Sequence, residues 1–145
     1  MVDYLRKTES EIERDLFRLV KASDLVDTTK GGISGNVYRR GMRPLDAHTE
    51  DIVITFVSGE ESQEQNGVIN LNIYVPKISI GSSTNKVQDI SRCESLERLV
   101  IDFVDGIEST EYLYELRSSP LTLDDPEQLD QTLINTRLYF RRTTF

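Results

Sequence analysis

The chain holds a single histidine, His48, and a single cysteine, Cys93. His48 lies in Asp46-Ala47-His48-Thr49-Glu50, where a nearby carboxylate would suit a general base. No Gly-x-Ser-x-Gly motif supplies a nucleophile for it, and it reads as a surface histidine beside a strand. Cys93 falls in the first turn of an expected helix, where the positive dipole end would lower a thiol pKa. With one distant histidine, a buried neutral thiol is the simpler expectation. One cysteine excludes an internal disulfide and a Cys-based zinc cluster, and one histidine excludes a His-rich metal site.

Gly31-Gly32-Ile33-Ser34-Gly35 invites a phosphate-loop reading. A P-loop needs Gly-Lys-Ser/Thr, so that the lysine meets phosphate and the hydroxyl meets magnesium. Here Gly35 is followed by Asn36-Val37 and the segment follows a helix, so it reads as a flexible connector. The densest carboxylates, Asp124, Asp125, Glu127 and Asp130, lack the Asp-x-Asp-x-Asp-Gly pattern of a calcium loop. A Glu-x-Lys nuclease pattern is also missing, because Leu5, Leu19, Thr28, Val75 or Thr84 stands two residues before each lysine. These residues predict no enzyme, no metal and no cofactor.

The elements that position them belong to a chain of 145 residues, with 17 Lys+Arg against 25 Asp+Glu and a formal net charge of −8. That length fits one domain, 1–145, which buries about two thirds of its unfolded surface. The acidic balance argues against nucleic-acid binding by the whole surface. Met1 to Lys7 alternate polar and apolar residues without a signal-peptide core. No stretch approaches the roughly 20 apolar residues of a membrane helix. A soluble protein made in a cytoplasm, with no membrane contact, is expected.

Ile12, Leu16, Leu19 and Val20, with Phe17 beside them, have helical spacing. Thr8 with Glu11, or Ser10 with Glu13, offers a capping box, and the end is expected near Ala22–Asp24. Glu9, Glu13, Arg14, Arg18 and Lys21 form the charged face. A second helix carries Leu96, Leu99, Val100, Phe103, Val104 and Ile107, with Ser91 and Glu94 as a capping box and Gly106 near its end. Strands are predicted at Ile52–Val57, Gly67–Val75, Glu111–Arg117 and Thr132–Arg142, with a shorter one at Asn36–Arg40. Ser58 to Asn66 reads as a hairpin loop with Asn66-Gly67 as its turn signal, and Pro120 to Pro126 as an acidic turn or loop. The expected fold is α+β: a mostly antiparallel sheet of four to five strands with two helices packed on one face. Long polar links are expected at about 24–35 and 77–89.

Charge is grouped along the sequence. Arg39, Arg40 and Arg43 cluster in the first strand region, and Arg137, Arg141 and Arg142 in the last strand. Acidic groups cluster at Asp46, Glu50 and Asp51, at Glu60, Glu61 and Glu64, and at Asp124, Asp125, Glu127 and Asp130. Separate patches of opposite sign suit head-to-tail pairing of copies, which gives a ring when the contact closes. A solvated surface with chance clustering and a local arginine contact to nucleic acid are the alternatives at this point. Asn70, Asn72 and Tyr74 on one strand, and Asn135, Arg137 and Tyr139 on another, form a polar sheet face. Such a face suits either a wet protein contact or plain solvation.

The N-terminal helix is followed by Val37-Tyr38-Arg39-Arg40-Gly41-Met42-Arg43-Pro44, then Glu50-Asp51-Ile52-Val53-Ile54-Thr55-Phe56, then Gln65 to Pro76. A second helix and Thr136-Arg137-Leu138-Tyr139-Phe140-Arg141-Arg142 complete the order. From about Ser10 to Arg142 this order resembles the tail-completion (tail-terminator, neck) proteins of tailed bacteriophages. It is also similar to virion proteins of crAss-like phages. The resemblance implies an oligomeric ring layer in a tail or head–tail connector, assembled in the host cytoplasm and resident in the virion. Its implied partners are copies of itself, adjacent portal, connector or tail proteins, and DNA that passes through the channel without specific binding. It implies that the 77–89 loop is an arm touching a neighbour, and it brings no catalytic residues. A small stand-alone protein-binding or regulatory module is the alternative.

Overall fold

The computed structural model describes residues 6–61, 64–81, 85–128 and 130–143. The first five residues, positions 62 and 63 of the expected 58–66 hairpin loop, and the 82–84 part of the expected arm lie outside the described residues. Two helices, α1 (Glu9–Lys21) and α2 (Ile90–Asp105), accompany eight strands: β1 (Val37–Arg39), β2 (Asp51–Glu61), β3 (Glu64–Pro76), β4 (Ile78–Ser79), β5 (Lys86–Val87), β6 (Tyr112–Leu116), β7 (Leu121–Asp124) and β8 (Gln131–Thr143). The fold is α+β.

Thr8 starts α1 through a reciprocal capping box: its hydroxyl accepts the Glu11 N–H at 3.1 Å, and the Glu11 carboxylate accepts the Thr8 N–H at 2.9 Å. Arg18 and Lys21 stand in the last turn, where cations offset the helix dipole. The α2 cap differs from the expected Ser91. Asp89 caps instead, accepting the Arg92 N–H at 3.2 Å, and its carboxylate also complements the positive end of the helix. Cys93 is buried in the same stripe as Leu96, Val100 and Val104.

The main sheet is mixed and has six strands, in the order β1-β2-β3-β8-β6, with β7 also on β8. It therefore holds one strand more than the four to five expected. β1 runs parallel to β2, and every other pairing is antiparallel. Both β6 and β7 lie on the outer edge of β8. β6 pairs with 138–142 and β7 with 132–135, so the long β8 gathers two short partners. This pairing converts the expected loop at 120–126 into strand over Leu121–Asp124. The polar stretch 58–66 is likewise corrected, because β2 and β3 stay paired out to Glu61↔Gln65. Polar residues continue a ladder when their backbone groups find partners on the next strand, whatever the side-chain pattern. Gly67 is no turn residue. It sits inside β3 opposite Gly59, where an added Cβ would lie 2.0 Å from the Ser58 carbonyl oxygen.

Alternation assigns the two sheet faces. Ile52, Ile54, Ile69, Leu71, Ile73, Ile134, Leu138 and Phe140 are buried in one cluster with Ile12, Leu16 and Val20 of α1 and Leu96, Val100 and Val104 of α2. Each such aliphatic side chain contributes about 1.5–3 kcal/mol on burial. The segment 24–35 is no flexible connector. It forms two short 3-10 turns, Asp24–Val26 and Thr28–Lys30, and buries Leu25 and Ile33. Arg92 holds it down, donating to the Gly31 and Gly32 carbonyls at 3.0 and 2.9 Å while gripping both Glu50 oxygens at 2.7 and 2.8 Å.

Candidate interaction surface

The six arginines singled out by sequence divide into structural and surface groups. Arg43 lies in the segment that crosses the outer sheet face between β1 and β2. Its side chain is 9% exposed and its Nε sits 2.9 Å from an Asp51 oxygen that is fully buried. Its Nη2 reaches Gln131 Oε1 at 2.7 Å, and its guanidinium lies 4.2 Å over the Tyr74 ring. Asp51 also accepts the Asn36 N–H at 2.8 Å and the Thr49 hydroxyl at 2.9 Å. Arg142 is equally buried and donates to Glu111 and to Gln65 Oε1. Arg39 is tied to α1, with Nε 3.0 Å from Glu13 Oε1 and Nη2 2.7 Å from the Ser10 carbonyl. Arg40 is more exposed and bonds the Ser10 hydroxyl at 3.2 Å.

Glu13, placed by sequence on the charged face of the helix, is fully buried. Its second oxygen accepts the Phe56 N–H at 3.0 Å, beside the register shift between Phe56 and Ser58. The carboxylate therefore satisfies a strand N–H beyond the end of the short β1. The signal was present in the sequence, since residue 13 stands three and four positions before Leu16 and Phe17 and so adjoins the apolar stripe.

Arg137 and Arg141 are different. Both are exposed on the outer face of β8 and make no ion pair or hydrogen bond among the described residues. They stand two residues either side of Tyr139, about 7 Å away along the strand. Arg117, which sequence reading did not single out, joins them from the end of β6 with its guanidinium 4.3 Å over the Tyr139 ring. A groove of about 460 Å³ runs here, lined by Glu60, Asn66, Val68, Arg117, Tyr139 and Arg141. Asn70, cross-strand from Arg137, keeps a buried side-chain oxygen without a partner among the described residues. Farther along the same face Asn135 donates to Asn72 at 2.6 Å.

The acidic segment is partly neutralised at home. Asp124 meets Lys77 at 3.1 Å and Gln88 at 3.0 Å, and these two hydrogen bonds hold its carboxyl below the ordinary value. Asp130 faces His48 at 3.5 Å and Lys86 at 3.9 Å. Asp125 is buried and accepts the Glu127 N–H at 2.9 Å, closing the local turn, while Glu127 is exposed. Through Lys77, Lys86 and Gln88, this segment anchors the base of the small β4–β5 hairpin. That hairpin exposes Ile78 (45%), Ile80 (63%) and Val87 (40%), and Ile90 beside it is also exposed.

Cys93 is buried, and burial first, then the nearby Glu97 and Asp89 carboxylates, push its thiol up to about 11. Among the described residues no group of three or more His, Cys, Asp or Glu converges as a metal site, and no helix is long and apolar enough to cross a membrane. Comparison with protein-family models and with curated proteins finds no match to this chain.

Proposed function

We propose that the protein is a structural virion component that assembles with copies of itself into a ring layer of a phage tail or head–tail connector. One observation carries the assembly part of this reading: the β4–β5 hairpin is fixed to the body at Asp124 and Asp130 while turning Ile78, Ile80 and Val87 outward. Exposed apolar side chains grouped on one element favour contact with another protein surface. The element order resembling tail-completion proteins supplies the ring and the virion setting. Neighbouring layers would be portal, connector or tail proteins, with DNA passing through the channel. Negative-stain imaging and native mass spectrometry of the purified full chain are expected to find closed rings of identical subunits. A chain that stays monomeric at about 100 µM, near the weak end of specific association, and joins no particle would overturn the proposal.

A stand-alone binding module has one feature in its favour. A groove of about 540 Å³ between α1 and the outer edge of β1, lined by Phe17, Val37, Arg39 and Met42, is open beside a three-residue edge strand. Edge strands accept added strands from partners. A stable one-to-one complex with a different protein, formed by a monomeric chain, would favour that reading.

A further inference from the structure

We infer that the outer sheet face around Arg117, Arg137 and Arg141 docks on the acidic outer face of α2 in a second copy of this chain. The inference rests on the ring proposal and names the two surfaces that meet. Four of the six arginines first considered are engaged with groups of their own subunit, and Asp124 and Asp130 already have cationic neighbours. What remains uncompensated lies elsewhere. Arg137 and Arg141 flank Tyr139 with no carboxylate partner, while Arg117 is stacked between them and shared with Glu115 at 3.0 Å. One carboxylate among three guanidinium groups leaves this face with an excess of positive charge, which a further anion would offset.

The other half is on α2. Its exposed side carries Glu94, Arg98, Asp102 and Asp105 at spacings of four, four and three, followed by exposed Glu108. Asp102 and Asp105 occupy the last turn, which holds no basic residue. Carboxylates at the negative end of a helix dipole are locally unfavourable, and none of the three acids there has an ion-pair partner among the described residues. A cation brought from outside would relieve that arrangement.

The two surfaces lie on opposite sides of the molecule. α2 covers the inner face of the sheet with Leu96 and Val100, so its acidic side points away from the sheet, whereas Arg137 and Arg141 point out of the far face. A contact between them is heterologous, and repetition gives a ring or a filament according to the rotation between copies. The detail of charge also fits a protein rather than a phosphate backbone. Glu60 lines the groove and Glu115 stands beside Arg117, which would repel a continuous polyanion, while Arg98 between Glu94 and Asp102 answers those two acids.

Self-association of the full chain, measured by analytical ultracentrifugation at low and at about 0.5 M salt, tests the pairing. Arg137→Glu with Arg141→Glu, and separately Asp102→Arg with Asp105→Arg, are each expected to weaken association at least tenfold, since like charges then face each other. The chain carrying all four substitutions is expected to regain association to within about threefold of wild type, which also shows that the exposed substitutions left the fold intact. A wild type that assembles while either pair has no effect, or while the fourfold variant fails to recover, overturns this contact and leaves the ring proposal standing. A wild type that never associates overturns both. Salt-sensitive binding of a double-stranded DNA oligonucleotide, lost with Arg137→Glu and Arg141→Glu while self-association is unchanged, also overturns it and assigns the arginines to nucleic acid.

Discussion

Arg43 and Arg137 carry the same charge and differ in what their loss exposes. Removing Arg43 leaves the fully buried Asp51 carboxylate with only an amide and a hydroxyl donor, and strands Gln131 Oε1 as well. An uncompensated buried charge of this kind costs about 3–5 kcal/mol. Arg43→Met is therefore expected to lower the urea midpoint sharply, while Arg137→Met, at an exposed site, stays within about 0.5 kcal/mol of wild type. Equal losses at the two positions would refute the division of the arginines into structural and surface groups. That division was not legible in the sequence. A linear cluster of Arg39, Arg40 and Arg43 gives no sign that Glu13 and Asp51, far apart in the chain, come to meet it. Burial of an arginine is decided by a carboxylate on another element, and composition does not encode that meeting.

At the scale of elements the sequence was a better guide where one face is buried. The period-two pattern placed Ile69, Leu71 and Ile73 on the core face of β3 and Asn70, Asn72 and Tyr74 opposite, and the structure agrees. The stripe of Leu96, Val100 and Val104 was equally readable, although Ile107 lies past the end of α2, and Thr8 with Glu11 is one of the two capping boxes the sequence offered. Legibility failed where pairing is polar. The outer end of the β2–β3 hairpin offers no apolar alternation, so Gly67 looked like a turn. Its actual role is close packing: Ser58 oxygen and Gly59 Cα would lie 2.0 and 2.7 Å from an added Cβ. Gly67→Ala must push the backbone at the bulge and is expected to cost about 2 kcal/mol, in the range of overpacked sites. Equilibrium unfolding would measure it. A neutral effect would mean that the strand end has room to shift and that the bulge is not held as tightly as its contacts imply.

The whole molecule is closed by one ionic clasp that joins the start of α1 to the far ends of β3, β6 and β8. Lys7 Nζ lies 2.6 Å from Asp15 and 2.9 Å from Glu111, and the Lys7 backbone exchanges two hydrogen bonds with the Gln65 side chain. Arg142 donates to both Glu111 and Gln65, and the Tyr112 hydroxyl donates to Asp15 at 2.6 Å. Burial raises the Asp15 and Glu111 carboxyls, but the hydrogen bonds and charge of Lys7, with Tyr112 or Arg142, outweigh it and hold both below the ordinary value. Burial lowers Lys7, and its two carboxylates outweigh that and hold it above the ordinary value. A depressed carboxyl stabilises the fold above its unfolded pKa of about 4 and loses that contribution as pH falls through the folded value. A raised lysine stabilises below its unfolded pKa of about 10.4 and loses that contribution as pH climbs through the folded value. The clasp is thus complete between about pH 5 and 10. Lys7→Met should cost about 1–2 kcal/mol in that window, most of it through Asp15, because Glu111 is more than a third exposed and its pair is screened. The gap between wild type and variant should shrink on going from pH 7 to about pH 2, as protonation of the two carboxyls removes the lysine's partners. Urea unfolding of the two proteins at both pH values decides the matter: a gap unchanged in acid would assign the loss to the Lys7 ammonium over the Tyr112 ring, 5.7 Å from its centre, a contact that acid leaves intact, rather than to the two carboxylates.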